Sequence, residues 1–218
     1  MKDDWITINR NAYIKAAPFY FNRSHKYELA DRGLLGHFLL EQFLLRPSVP
    51  VPTILDLGCG TCRRAKIMRN TGASVTVLDF CPPFIRYAKR NGFECIDAEF
   101  KTAEIDLSYH HYFTGVHCGS FLHQFPPKDI PFILNKIKQL LQPGGFLFVG
   151  EPIEKENKGW QRVQKDIHSQ EYHYKTIQIR DWWIRRINRF FTLRSLIMDV
   201  DVIAEGKYWW NGVWQVRI

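Results

Sequence analysis

No apolar run in this chain approaches the ~18 residues that a bilayer crossing needs. The longest candidates, residues 34–45 and 146–150, are short and interrupted, so a membrane-spanning segment is not expected. Glycine (14) and proline (11) are too few for a collagenous or low-complexity chain. With 45% hydrophobic and 24% charged residues, the composition excludes disorder for most of the length. The first residues, Met1-Lys2-Asp3-Asp4-Trp5, are acidic where an export signal is basic and then apolar. A reducing cytoplasm and free thiols at the five cysteines are the corresponding expectation.

A basic tail is also missing. The net charge of +8 is spread thinly: residues 1–50 carry 7 basic and 5 acidic side chains, 51–150 carry 11 and 8, and 151–218 carry 12 and 9. A nucleic-acid partner is permitted by this balance but not favoured, unless folding gathers Arg180, Arg185, Arg186, Arg189 and Arg194 onto one face. Six of the seven tryptophans follow residue 150, so the last third is built differently from the rest.

At 218 residues the chain has room for one domain. A proline-rich connector, Arg46-Pro47-Ser48-Val49-Pro50-Val51-Pro52, divides a leader (1–50) from a core (53–150), which a 151–218 segment follows. The leader has an amphipathic helical pattern over 29–45, preceded by a stretch rich in Tyr and Phe. From residue 53, short β-branched runs alternate with helical stretches: strands at 53–57, 74–80, 95–98, 112–118 and 145–150, and helices at 61–71, 83–90 and 129–141. Beyond Glu151, a helix over 177–188 and two long strands, 192–202 and 207–218, complete the pattern. The expected fold class is α/β, doubly wound. It has a mostly parallel seven-stranded sheet with an antiparallel edge, helices on both faces and an N-terminal helical cover.

The strongest local signal is Ile54-Leu55-Asp56-Leu57-Gly58-Cys59-Gly60, a buried strand that runs into a glycine turn opening a helix. Glycines there let backbone approach a ligand, and the helix start adds N–H donors. Asp79 ends the next strand 19 positions after Gly60, where a carboxylate can take both hydroxyls of a ribose, and Asp97 ends the third. Three such elements at successive strand ends read as a nucleoside site.

With these residues in place the chain resembles the Rossmann-like S-adenosylmethionine-dependent methyltransferases of the small-molecule type with a helical N-terminal cover. Asp56-Leu57-Gly58-Cys59-Gly60 looks like their first motif, Asp79-Phe80 like the ribose-binding acid and its neighbour, and Asp97-Ala98 like the adenine-side motif. Val116-His117-Cys118-Gly119-Ser120-Phe121-Leu122-His123 resembles the fourth-strand motif at the methionine end. Leu140-Leu141-Gln142-Pro143-Gly144-Gly145 resembles the turn before the fifth strand. Tyr13-Ile14-Lys15-Ala16-Ala17-Pro18-Phe19-Tyr20 is similar to the segment that folds over the cofactor.

The resemblance covers residues 10–150 well and the remainder in outline. It implies that S-adenosylmethionine is held by Tyr13, Tyr20, Asp56, Leu57, Gly58, Cys59, Gly60, Asp79, Phe80, Asp97, Ala98 and Cys118. The product would be S-adenosylhomocysteine and the partner a small-molecule methyl acceptor. Two departures stand out: Cys62 where the family has a further glycine, and Phe113-Thr114 where the fourth strand usually opens with Asp.

Rival readings attach to the same residues. Cys59-Gly60-Thr61-Cys62 is a Cys-x-x-Cys, but no second one exists to complete a zinc site, and the third glycine of a dinucleotide fingerprint is missing. No metal is expected. Methyl transfer needs a base only where the acceptor must lose a proton. His123, just past the fourth strand, and His168 and His173, beyond the fifth, are the candidates, each weighed against a capping or solvated-helix role. Glu151 faces the same crevice, and Tyr13, Tyr20, Trp160 and Tyr172 are candidate walls for an acceptor. Methylation of RNA or protein, and cofactor binding without turnover, are the alternatives. The acceptor atom and the oligomeric state stay open.

Overall fold

The computed structural model describes residues 4–23, 35–36, 38–42, 51–152, 154–164, 171–201 and 208–217. Helix α1 (Trp5–Arg23) comes first, followed by β1 (Thr53–Leu57), α2 (Arg63–Asn70), β2 (Ser74–Asp79), α3 (Pro82–Arg90) and β3 (Glu94–Asp97). Then come β4 (Phe113–Gly119), α4 (Ile130–Leu140) and β5 (Leu141–Pro152). The chain ends with a hairpin of β6 (Gly159–Gln164) and β7 (Tyr172–Ile177), helix α5 (Arg180–Ile187), β8 (Phe191–Asp201) and β9 (Tyr208–Val216).

Seven strands make one sheet in the order β3-β2-β1-β4-β5-β9-β8. β1 to β5 run parallel, and β9 pairs antiparallel with both β5 and β8. Strands β1, β2, β4 and β5 are largely buried because both their faces are covered. On one face Ile54, Val75, Val77, Phe146 and Phe148 pack against Ala65, Ile67 and Met68 of α2, Ala88 of α3, and Leu35 and Phe38. On the other, Leu55, Leu57, Val116, Leu147 and Val149 meet Ile130, Ile133, Leu134, Ile137 and Leu140 of α4, with Trp183 and Ile187 of α5. The order of strands reverses between β1 and β4, so the crevice lies at the carboxyl ends of these two strands.

Two segments differ from the sequence expectation, and a third matches it where it is described. The leader stretch likened to a cofactor-covering segment, and otherwise marked by its Tyr and Phe content, is the 19-residue α1. Its pattern is hidden because the buried positions Asn9, Ala12, Ala16 and Ala17 are small or polar, and Pro18 sits inside it. Of the leader helix expected over 29–45, residues 35–36 and 38–42 are helical, with Leu35, Phe38 and Gln42 buried; the rest lies outside the described residues. The solvated polar helix weighed for His173 is instead strand β7, in a hairpin with β6 that the sequence pattern does not reveal. The 202–207 link between the last two strands lies outside the described residues.

Helix α1 crosses the carboxyl ends of the strands. Trp5 packs edge-on against Phe125 and Trp160, while Phe21 reaches Phe84 and Tyr87. In between, Asn9 Nδ2 donates to the Tyr174 carbonyl (3.0 Å) and its Oδ1 accepts from the Tyr174 amide (2.6 Å), so one side chain completes the outer edge of β7. Among the described residues no helix is long and apolar enough to cross a membrane.

The tryptophans of the last strand are packing residues. Trp210 and Trp214 are fully buried, and Trp214 Nε1 donates to Asn188 Oδ1 (2.8 Å). The Trp214 ring lies over Gly212, where a Cβ would meet it at 2.4 Å. Gly212→Ala is therefore expected to lower unfolding stability by about 1–3 kcal/mol through overpacking, read by urea denaturation. A wild-type midpoint in that variant contradicts the packing described.

Candidate active site

The turn after β1 places three residues in the left-handed region: Gly58 (φ 70°), Gly60 (φ 52°) and Cys62 (φ 55°). Backbone bonds hold it there. The amides of Gly58 and Cys59 both donate to the Leu78 carbonyl (2.8 and 3.2 Å), and the Gly60 amide donates to Asp79 Oδ2 (3.0 Å). The other oxygen, Asp79 Oδ1, accepts from the Cys81 amide (2.9 Å), which fixes the start of α3. Each carboxylate oxygen keeps a lone pair beyond these bonds. Burial pushes the Asp79 carboxyl up to about 6, against the lowering effect of the amides of Gly60, Cys81 and Phe80. Gly58 is required for space as well as conformation, since a Cβ there would lie 2.9 Å from the Phe121 ring.

Asp97 stands beside Asp79 in register, exposed at the end of β3, and the Ala98 amide donates to the Asp79 carbonyl (3.1 Å). The expected set Leu57, Gly58, Cys59, Gly60, Asp79, Phe80, Asp97 and Ala98 thus converges at neighbouring strand ends through its backbone and two acids. Cys62, the departure from the family glycine, does not enter the crevice. Its thiol is fully buried in the core beneath α2, 3.7 Å from Cys59 Sγ. The bond from Cys62 and burial push the Cys59 thiol well above its ordinary value, which leaves it neutral and unreactive. Among the described residues no three His, Cys, Asp or Glu side chains gather as metal ligands.

Two expected contacts are corrected. The Asp56 carboxylate turns away from the loop and pairs with His117 Nδ1 (2.6 Å), both buried, and the His117 ring stacks on Phe148 (4.8 Å, 20°). Asp56 and His117 share the face of the sheet that α2 covers, because alternate residues of neighbouring strands point the same way. Cys118 projects into the opposite core, fully buried, so only its backbone borders the crevice. The Thr114 departure is structural: its Oγ1 accepts from the Thr53 amide (3.0 Å) and bonds Gln42 Oε1 (2.8 Å), tying β1 and β4 to the leader.

Across the crevice, Glu151 ends β5 with no exposure. Its Oε1 accepts from the His123 amide (3.2 Å) and its Oε2 meets His123 Nδ1 at 2.5 Å. With Nδ1–H donating to Glu151, Nε2 keeps its lone pair and faces the Gln124 amide nitrogen at 2.5 Å. Tyr13 of α1 joins the two halves: burial, then Tyr20, Asp79 and Glu151, raise its phenol well above the ordinary value, while the Gln124 side chain bonds it. Its ring lies 6.0 Å from His173, 6.2 Å from Tyr20 and 6.5 Å from Phe80.

Tyr13, Tyr20, Phe80, His123, Glu151 and His173 are therefore gathered, and Trp160 stacks on Tyr174 at the near end of α1. Tyr172 is not in this wall: it is exposed on the outer side of the hairpin under Arg162. His168 lies outside the described residues. Gln124 and the pairing role of His117 are not evident from the sequence. Gln124 follows His123 directly, but nothing in its own pattern distinguishes it. The one signal for His117 is strand alternation, which sets it on the same face of the sheet as Asp56 once β1 and β4 are in register.

Residues 54–145 match the family model described as a methyltransferase domain. The ubiquinone biosynthesis O-methyltransferase of Xanthomonas campestris pv. campestris (strain B100) is 29% identical over 114 residues, 50% of this chain and 47% of that one. The protein of the same name from Xanthomonas euvesicatoria pv. vesicatoria (strain 85-10) is 27% identical over 158 residues, 65% of each chain. The chain thus spans about half the length of the first of these curated relatives. The Burkholderia thailandensis 1,6-didemethyltoxoflavin-N1-methyltransferase, solved with 1,6-didemethyltoxoflavin and S-adenosylhomocysteine, shares the fold. The TM-score is 0.72 at 15% identity, over 100% of this chain and 91% of that one.

The raised Asp79 value has a testable sign. A carboxyl at about 6 in the folded chain, above its ordinary 3.8, holds its proton more tightly folded than unfolded. Its contribution therefore favours the fold below about pH 4 and turns against it as pH rises to 6, by roughly 3 kcal/mol. Urea unfolding of wild type and Asp79→Asn between pH 4 and 7 is expected to show this slope only in the wild type. Parallel curves would contradict the burial of the charge.

Proposed function

Starting from a methyltransferase domain over residues 54–145, we propose that the chain is an S-adenosylmethionine-dependent methyltransferase acting on a small molecule with an ionisable hydroxyl. The observation that carries this reading is the pairing, across one crevice, of the Gly60–Asp79 clamp with the His123–Glu151 dyad, bridged by Tyr13. The nucleoside half fits the site's own chemistry. Asp79 has unused lone pairs for two ribose hydroxyls, Gly58 and Gly60 offer close backbone approach, and Asp97 stands on the adenine side.

When bound, the cofactor supplies an electrophilic methyl group on a sulfonium. The chain supplies position and a proton acceptor. His123 Nε2, released by Gln124, takes the proton of the acceptor hydroxyl, and the buried Glu151 carboxylate holds the imidazolium that forms. Tyr13, Tyr20, Phe80 and His173 wall the crevice and exclude water, and α1 is held over it by the Asn9 clasp. Five free thiols support a reducing, cytoplasmic setting.

Calorimetric titration with S-adenosylhomocysteine, with NAD as control, tests the cofactor. Saturable binding of the first alone is expected; binding of neither sinks the reading. Asp79→Ala is expected to weaken that binding at least ten-fold. Because hydroxyl donors favour the ionised acid, wild-type affinity is expected to fall as pH drops below about 6. On a panel of phenolic acceptors, His123→Ala is expected to lower kcat by roughly 10²–10⁴ with cofactor affinity unchanged. Equal turnover would return His123 to a structural role.

A further inference from the structure

Charge that is thin along the chain is concentrated in the fold. Helices α2 (Arg-Arg-Ala-Lys-Ile-Met-Arg-Asn) and α3 (Pro-Pro-Phe-Ile-Arg-Tyr-Ala-Lys-Arg) carry seven cations and no acid. They lie side by side on one face of the sheet: Lys66 Nζ donates to the Tyr87 hydroxyl (2.8 Å), and Arg69 Nη1 donates to the Asn91 carbonyl (2.9 Å). Arg69, Arg86, Lys89 and Arg90 are exposed. Among the described residues none of these four has a carboxylate partner, although Lys101, Lys158, Lys175 and Arg180 do.

A cleft of about 430 Å³ opens on this face, between the end of α1 and α3, lined by Phe21, Pro83, Arg86, Tyr87 and Arg90. That volume falls in the roughly 300–1,000 Å³ of ligand clefts. Its floor is aromatic, with Phe21 and Tyr87 at 4.8 Å, and its rim carries two guanidiniums four residues apart on one helix face. We propose that the α2–α3 face is a docking site for single-stranded RNA, with Arg86 and Arg90 on successive phosphates and a base against the aromatic floor.

The chemistry of the face selects this occupant. Guanidinium forks match phosphate oxygens, and a basic track with aromatic platforms is how single strands are held without sequence readout. Arg69 of α2 adds an exposed cation beyond the cleft, which suits a polymer better than a free nucleotide. A bilayer is disfavoured because the exposed large apolar side chains among the described residues (Tyr20, Leu40, Val51, Leu107, Tyr112, Phe132 and Tyr172) include none from α2 or α3. The site is separate from the His123–Glu151 dyad, and the inference stands apart from the identity of the methyl acceptor.

Fluorescence anisotropy of a labelled 12-nucleotide RNA with the full chain, from 50 to 200 mM salt, tests it. Binding is expected, weakening as salt rises. Arg86→Glu/Arg90→Glu is expected to weaken it at least ten-fold and to flatten the log–log salt slope by about 1.4, roughly 0.7 for each phosphate no longer neutralised. S-adenosylhomocysteine affinity of this variant should stay at wild type, which confirms its fold. Absence of RNA binding at 50 mM salt overturns the proposal. So does an equal loss in Arg185→Glu/Arg189→Glu on the opposite face, which marks a general charge effect. Capture by phosphatidylglycerol vesicles without RNA binding would assign the face to a membrane instead.

Discussion

A buried carboxylate is expensive, and Asp79 is kept in that position by backbone amides from both sides of the crevice floor. Gly60 donates from the turn after β1 and Cys81 from the start of α3, so one side chain fixes the relative placement of two βα junctions. The left-handed turn residues, Cys62 among them, persist because this clamp and the Leu78 carbonyl over-determine the loop. The compensation is incomplete, and burial still holds the carboxyl at about 6.

The second half of the crevice is assembled by elements far apart in the chain. Glu151 arrives on β5, His123 on the turn after β4, His173 on a hairpin, and Tyr13 on α1. Asn9 acts as a strand-edge partner for Tyr174, and this single amide holds α1 in register with β7. Tyr13 then lies where it feels both Asp79 and Glu151, so one desolvated phenol joins the two sides of the crevice.

Some residues were legible in the sequence because their role is local. The run Ile54 to Gly60 demands a buried strand and a glycine turn, and Asp79 and Asp97 follow at the ends of the next two strands. Asp56 shows where that reasoning ends. It lies in the strand-to-turn run as expected, but its partner is His117, 61 positions away, and the pairing depends on the register of β1 against β4. Cys62 and Thr114 likewise looked like defects in a motif, and the fold makes one a core thiol and the other a tie between strands and leader.

The sequence by itself determined the alternating βα order, the glycine turn, the acids at the strand ends and the helices with a strong apolar stripe, since each rests on contacts within a few residues. Tertiary structure alone decided that α1 is anchored to β7 through Asn9, that residues near His173 form a strand, and that His123 has Glu151 for a partner. It also decided where the charge goes. A thin excess counted along the chain becomes a pair of adjoining helices that carry cations and no acid because the sheet sets α2, which ends at Asn70, beside α3, which begins at Pro82. The physical reason is common to all of these: burial and electrostatics act between neighbours in space, and only the packed sheet determines which residues those are.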